Sequence, residues 1–274
     1  MDADAKPLFP PQSQSSVTEE LTQLVHIAPP TRSRWTLAGI GQTVSWLRSR
    51  SLVCVWKTLQ RLGIVYKRGR EYVHSPDPDY ALKLAYIEAA QQQAIDNPEQ
   101  IVILYQDELT YYRRPTVARA YAPIATKEPK AQLGHSSNKK RRIAGSLNAC
   151  TGQFHAQQLA HFGVTQLKRY YQKLEIAYPN AQTIYLVQDN WPVHRHPELL
   201  TFFLSSRLVP LFLPTYAPWT NPSEKVWLRL KQELLHLHLF EDDWSALQQA
   251  VEVWLTQWLL PSPDLLHYVG LSPS

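Results

Sequence analysis

Two apolar runs in this chain of 274 residues end in the same dipeptide. Ile101-Val-Ile-Leu-Tyr-Gln leads into Asp107, and Thr183-Ile-Tyr-Leu-Val-Gln leads into Asp189. Short apolar runs rich in β-branched residues read as buried strands, and in open α/β sheets binding sites lie at the carboxyl ends of strands. A carboxylate there is held by a rigid element with one side open to solvent. Two of them on neighbouring strands repel each other unless a cation lies between them. Magnesium suits such a pair, because it takes oxygen ligands, uses few carboxylates and keeps waters or phosphate oxygens. A single strand-end aspartate reads as a turn or cap residue. The repeated Gln-Asp after an apolar run points instead to a shared site.

A third acid, Glu224, stands in Leu213-Pro-Thr-Tyr-Ala-Pro-Trp-Thr-Asn-Pro-Ser-Glu-Lys-Val-Trp227. Two readings of it are open. Asn221 is a natural N-cap, Pro222 suits the first helical position, and Glu224 sits where the acid of a capping box would sit. On the other reading it is a third metal ligand. In both, it is fixed at the opening of a helix that follows a strand. Glu108 is the alternative to Asp107. With Ile101, Ile103 and Tyr105 as one face of the strand, the two neighbouring acids point to opposite faces. The histidine pairs His194/His196 and His236/His238 read as loop or surface residues, since an i, i+2 pair on a helix does not converge on one ion. No Ser-His-Asp or Cys-His arrangement stands out.

The elements that must position these acids alternate. Tyr80–Ala94 patterns as an amphipathic helix. Thr110–Ala122 and Arg142–Leu159 are β-rich, with a hairpin signal at Thr151-Gly152. Helices are expected over Val164–Ala177, Pro197–Ser206 and Pro222–His238, and strands over Thr183–Gln188 and Val209–Leu213. The fold class is therefore α/β, a mixed sheet with flanking helices, over residues 79–242. A helix over Trp244–Leu260 and a tail make up residues 243–274.

Charge divides the chain differently. From Thr31 to Tyr72 there are nine Lys/Arg and one acid, whereas the remainder holds 19 basic and 22 acidic residues. A basic module joined to a mildly acidic body favours a polyanionic partner, because counterion release drives binding to phosphates. Thr36 can cap a helix over Leu37–Trp46, and Ser51 one over Leu52–Leu62 with Gly63 after it. In the second, Leu52, Val55, Trp56, Leu59 and Leu62 form an apolar stripe, and Cys54, Lys57, Thr58 and Arg61 face the other way. Two short helices with a tight turn and a basic second helix are what a helix-turn-helix offers a major groove. Ile64–Val73 then reads as a basic wing, turning at Arg68-Gly69 and carrying Lys67, Arg68 and Arg70. Ser75–Pro78 is a hinge. Residues 1–30 read as a disordered, linker-like segment with a short helix to about His26. Asn138-Lys-Lys-Arg-Arg142 is either a solvated turn or a track for the DNA backbone. Trp219 is placed to stack on an unpaired base.

With 44% hydrophobic and 19% charged residues the chain is globular rather than disordered. It contains no apolar run of membrane-spanning length and opens with no leader pattern. Cys54 and Cys150 have no metal-binding spacing and read as reduced thiols. A soluble cytoplasmic protein, without a membrane partner, is expected.

These pieces resemble the mariner-type transposases, and in particular their bacterial relatives, insertion-sequence family 630. The resemblance rests on Asp107-Glu108, on Asp189-Asn190 with His194 after it, and on the block Pro214, Tyr216, Pro218, Asn221-Pro222, Glu224 and Trp227. Asp189 and Glu224 are separated by 34 residues, the spacing that group uses. The match runs from about Arg34 to about Phe240 and includes Tyr66-Lys-Arg-Gly-Arg and Ser75-Pro-Asp-Pro-Asp-Tyr80. It implies an RNase H-like catalytic fold preceded by a winged helix-turn-helix. It implies two divalent ions, Mg²⁺ with Mn²⁺ as substitute, on Asp107, Asp189 and Glu224, and no protein nucleophile. Its partners would be double-stranded DNA, as terminal inverted repeats and target, and a second copy on that DNA, in a bacterial nucleoid. Ser223 and Thr220 depart from the larger apolar residues usual there. Members also carry two helix-turn-helix units, and the residues before Thr31 resemble the linker between them. A truncated copy, or the second part of a split gene, is therefore expected. Two further readings stand beside the transposase: a DNA-binding copy without activity, and a related nuclease that would not need the basic module.

Overall fold

The computed structural model describes residues 14–30, 32–67, 74–124 and 127–271. The chain divides into two compact units, residues 1–72 and 73–274.

The first unit is helical. Helix α1 spans Gln14–His26, α2 Leu37–Thr43 and α3 Leu52–Arg61, with a 3-10 turn at Ser45–Leu47. Thr36 and Ser51 cap α2 and α3 through their hydroxyls, accepting from Gly39 N and Cys54 N. Gly63, at φ +72°, follows α3, a left-handed position that favours glycine. Leu21 of α1 is fully buried with Ile40, Val44, Leu47 and Val55. The stretch before Thr31 thus contributes to this unit's core through α1 rather than serving only as a linker.

The second unit is built on a five-stranded sheet. Helix α4 (Tyr80–Asp96) precedes β1 (Ile101–Tyr112), β2 (Lys140–Asn148) and β3 (Phe154–Leu159). Helix α5 (Val164–Ala177), β4 (Thr183–Gln188), α6 (Pro197–Leu204) and β5 (Leu208–Phe212) follow. Then come α7 (Ser223–Leu230), α8 (Trp244–Thr256) and α9 (Pro263–Val269). The strand order is β3-β2-β1-β4-β5. β1, β2 and β3 pair antiparallel, and β4 joins β1 and β5 in parallel. Both faces are covered. Helices α4, α7, α8 and α9 pack over Ile103, Tyr105, Ile143 and Val187, and α5 and α6 over Leu104, Ala144, Ile184 and Leu186. The hairpin turns at Gly152, at φ +71°.

Four expectations change. β1 does not stop at Asp107 but runs on to Tyr112, because β2 continues to pair with it after β4 has ended. The expected strand over Thr110–Ala122 stops there too; Thr116 makes a lone bridge to His236. The helix after Pro222 changes winding at Leu230 into a π-helical stretch, Lys231–Leu235. The C-terminal segment is part of the second unit, since Trp254, Leu255 and Leu265 belong to the core that also holds Val226, Trp227 and Leu230 of α7. No helix among the described residues is long and apolar enough to cross a membrane.

Candidate active site

Pairing decides where Asp107 points. β1 has β4 beside it only from Ile101 to Tyr105, so beyond Tyr105 one flank of the strand is open. Asp107 lies on the face of Ile103, Tyr105 and Leu109, and opposite it on β2 is Gly145. A Cβ at Gly145 would collide with the Phe154 ring and stand 2.6 Å from Trp227 Cη2. Glycine is what lets the buried Trp227 lie against β2, edge-on to Phe154. From there Trp227 Nε1 donates to Asp107 Oδ2 at 3.1 Å, and Glu108 N donates to Oδ1 at 2.8 Å. Burial first, then the charges of Glu224 and Glu108, pushes the Asp107 carboxyl up to about 8. The neighbouring acids thus disfavour a charged Asp107, and a cation placed among them would offset that repulsion.

Asp189 follows β4 directly. Its Oδ1 accepts from Trp191 N and from His194 Nδ1, both at 2.9 Å. His194 is 1% exposed, not a surface histidine. Its Nε2 donates to Glu108 Oε1 at 2.9 Å, and Gln106 Nε2 donates to the same oxygen at 2.7 Å. Burial alone would lower the His194 pKa, but the hydrogen bonds to Asp189 and Glu108 outweigh it and hold it near 10. Burial would likewise raise Asp189. The His194 and Trp191 hydrogen bonds prevail, and its carboxyl lies below the usual carboxylate range.

Glu224 enters from the first turn of α7. Asn221 Oδ1 accepts from Ser223 N, and Asn221 N donates to Pro218 O at 3.0 Å. The backbone N–H that a capping-box acid would take up is therefore already satisfied. Asp107, Asp189 and Glu224 line one cavity of about 360 Å³, together with Asn190, Trp191 and the stretch from Leu213 to Pro218. Among the described residues no three acidic, histidine or cysteine side chains close on a single point. The acids are an open, all-oxygen set, as suits an ion that completes its shell with water and substrate oxygens.

The wall of the cavity is tied down from two sides. Asn190 Nδ2 donates to Leu213 O at 2.6 Å. Ser75 Oγ donates to Thr215 O at 2.6 Å, and Thr215 N donates to Asp77 Oδ2 at 2.7 Å. The Lys83 ammonium, 2.6 Å from Asp77, and that Thr215 amide hold the Asp77 carboxyl far below the usual range. The expected hinge at Ser75–Pro78 is thus fastened to the second unit. Tyr216, at φ +55° and exposed, projects from this wall, and Trp219 Nε1 donates to Tyr80 OH.

Residues 102–247, just over half of the chain, match the family described as DDE superfamily endonuclease. The chain belongs to that family. An Insertion element IS630 uncharacterized 39 kDa protein from Shigella sonnei is 25% identical over 227 residues, 80% of this chain and 63% of the relative. The chain thus spans less than two thirds of that relative's length. The Mos1 mariner paired end complex with Mn has a TM-score of 0.68 at 14% identity, covering 99% of this chain and 78% of that one. The corresponding complex with Mg scores 0.65 at 15% identity, with the same coverage. The second unit of this DDE-family chain has the RNase H-like fold of those transposases. The resemblance to the mariner and insertion-sequence 630 group is borne out.

In the DDE-family chain the expected DNA-contacting residues divide. Lys57, Arg61 and Lys67 are exposed on the first unit. Arg68 and Arg70, with the expected wing turn, lie outside the described residues. Thr58 is a correction: it is fully buried, and its hydroxyl has no hydrogen-bond partner among the described residues. Helix α3 is rotated relative to the expected stripe. Val55, Thr58 and Leu59 face inward, whereas Leu52 and Trp56 are about half exposed. Lys139–Arg142 is no turn but leads into β2, with Arg142 over the Phe162 ring at 5.5 Å. Sequence reasoning missed Gly145 and the partners of Glu108. A glycine inside a β-rich run was the available signal for the first. For the His194 partner spacing offered none, because His194 and Glu108 lie 86 residues apart.

Proposed function

We propose that this chain is a transposase that cleaves DNA strands at the ends of an insertion sequence and joins them to a target, using divalent cations. The observation that carries the reading is the meeting of Asp107, Asp189 and Glu224, from three separate elements, in one cavity. Trp227 and the Glu108 amide hold Asp107 in one orientation, and His194 and the Trp191 amide hold Asp189 by one oxygen. Glu224 stands at a helix start with its capping role already taken. These acids would hold Mg²⁺ or Mn²⁺, two ions on this reading. When bound, such ions supply activation of a water or a 3′-hydroxyl and steady the leaving oxygen. The Leu213–Pro218 wall limits access to the reacting phosphate from one side.

The substrate is double-stranded DNA bearing terminal inverted repeats. The basic first unit would grip it, with Lys57 and Arg61 on the exposed side of α3 and Lys67, Arg68 and Arg70 beyond it. Three of the similar Mos1 structures are paired-end complexes, one with a left transposon end. That supports DNA as partner; on this reading a second copy of the chain joins it there, in the bacterial nucleoid. The test is cleavage of a labelled duplex bearing the element's own terminal repeat, in Mg²⁺, in Mn²⁺ and in chelator. Cleavage at the repeat with either ion and none in chelator is expected. Cleavage that persists in chelator overturns the metal reading, and duplex binding without cleavage in either ion overturns the enzymatic one.

A further inference from the structure

Glu108 stands next to an acid of the site but on the other face of β1. Asp107 faces Trp227 on the α7 side. Glu108 turns to the α5 and α6 side, where its Oε1 receives two donors, Gln106 Nε2 at 2.7 Å and His194 Nε2 at 2.9 Å. Gln106 is 1% exposed, and the Glu108 side chain 13%. The other ring nitrogen of His194 reaches Asp189 Oδ1 at 2.9 Å. The imidazole is edge-on to Trp191 at 5.5 Å, so its plane is fixed as well. A chain of three hydrogen bonds therefore runs from a buried amide on β1 to one oxygen of the carboxylate after β4. Oδ1 of Asp189 is fully engaged by His194 and the Trp191 amide, and Oδ2 has no hydrogen bond among the described residues. Asp189 is otherwise the loose member of the set, because its side chain is 54% exposed and β4 has already ended.

We propose that Glu108 and His194 are positioning residues for metal binding: the Gln106–Glu108–His194 chain holds Asp189 Oδ1 so that Oδ2 is presented to the ion. Neither is a ligand. Both nitrogens of His194 are occupied inside the protein, and Glu108 acts only through them. Partners behind a ligand typically change metal affinity about 10–100-fold when removed. This inference rests on the reading of Asp189 as a metal ligand.

The test is direct Mn²⁺ binding to the full chain, by the loss of free-ion signal in electron paramagnetic resonance, for wild type, E108A, E108Q, H194Q and D189N. Cleavage is followed in parallel against Mn²⁺ concentration. E108A and H194Q should weaken Mn²⁺ binding about 10-fold or more, and their cleavage should recover as Mn²⁺ is raised. E108Q keeps an oxygen that accepts from both donors, so it should bind close to wild type. D189N should not recover at any concentration. A general loosening of the fold would instead lower the melting temperature and leave the Mn²⁺ midpoint in place. The proposal is overturned if E108A and H194Q bind Mn²⁺ like wild type. It is overturned equally if E108Q is as defective as D189N, for then Glu108 is itself a ligand. If E108A does not fold, the comparison of H194Q with E108Q decides between these outcomes. Wild-type-like Mn²⁺ binding by D189N removes instead the reading on which the inference rests.

Discussion

Substituting Gly145 by alanine tests how the site is built into the core. The added methyl would press on the Phe154 ring and stand 2.6 Å from Cη2 and 2.7 Å from Cζ2 of Trp227. Both neighbours are rings inside the core rather than the ends of flexible side chains, and Trp227 is 1% exposed. Extra volume in a packed core costs about 1–3 kcal/mol. Removing a glycine from an extended position returns about 0.4–1 kcal/mol through the unfolded chain, so the clash wins. For a unit of this size the loss corresponds to a melting temperature lower by roughly 2–10 °C. The consequence reaches the site, because a displaced Trp227 gives up its hydrogen bond to Asp107. Thermal melts and end cleavage should both fall in G145A. Trp227→Phe removes two of the three atoms nearest the new methyl, so G145A should cost less in a W227F background, with a coupling of about 0.5–3 kcal/mol. Equal costs in the two backgrounds, or a G145A protein as stable and active as wild type, would refute the reasoning.

Three further outcomes are expected. The Asp107 carboxyl, raised to about 8, binds its proton more tightly in the folded chain than in the unfolded one. Its contribution to metal-free stability is complete below the ordinary carboxylate range and is lost as the pH climbs to about 8. Melting temperatures of metal-free wild type and D107N should therefore diverge with pH across that interval, and a constant difference would contradict the shift. Thr58→Val removes a buried hydroxyl that has no partner among the described residues, so stability should hold or rise with duplex affinity unchanged; a loss of affinity would place Thr58 in the interface after all. Lys57→Ala and Arg61→Ala should weaken duplex binding. Where the lost contact is to phosphate, the slope of log affinity against log salt should fall by about one, and an unaltered affinity in both variants would move the interface elsewhere.

Periodicity and punctuation made most of the second unit legible. Val164–Ala177 and Thr183–Gln188 have the expected bounds, because an amphipathic repeat and a short apolar run each permit one element. The extension of β1 past Asp107 was not legible as one strand, since Glu108 and Thr110 look polar until Ala144 and Arg142 of β2 are seen opposite them, with Ile143 opposite Leu109. Leu109 and Tyr111 are buried while Glu108 and Thr110 are not, so the alternation there read as a separate β-rich segment rather than as a continuation of the apolar run. The rotation of α3 escaped for a related reason. Leu52 and Trp56 fit an apolar stripe, yet Thr58 is small enough to be enclosed, and the choice between the two faces lay with α1 and α2. The three acids were legible because each sits at a punctuated position, after an apolar run or after Asn-Pro. Glu108, His194 and Gly145 act through contacts distant in sequence, which spacing cannot register.

The most direct test of the central claim is metal-dependent cleavage by Glu224→Gln, measured beside D107N and D189N on a labelled terminal repeat in Mg²⁺, with melting temperature recorded for each protein. The carboxylate lines the cavity while the Asn221 amide is already satisfied by Pro218. E224Q should therefore abolish cleavage as completely as the two aspartate variants and melt like wild type. An E224Q protein that cleaves like wild type but melts at a lower temperature would make Glu224 a helix cap and contradict the three-carboxylate site.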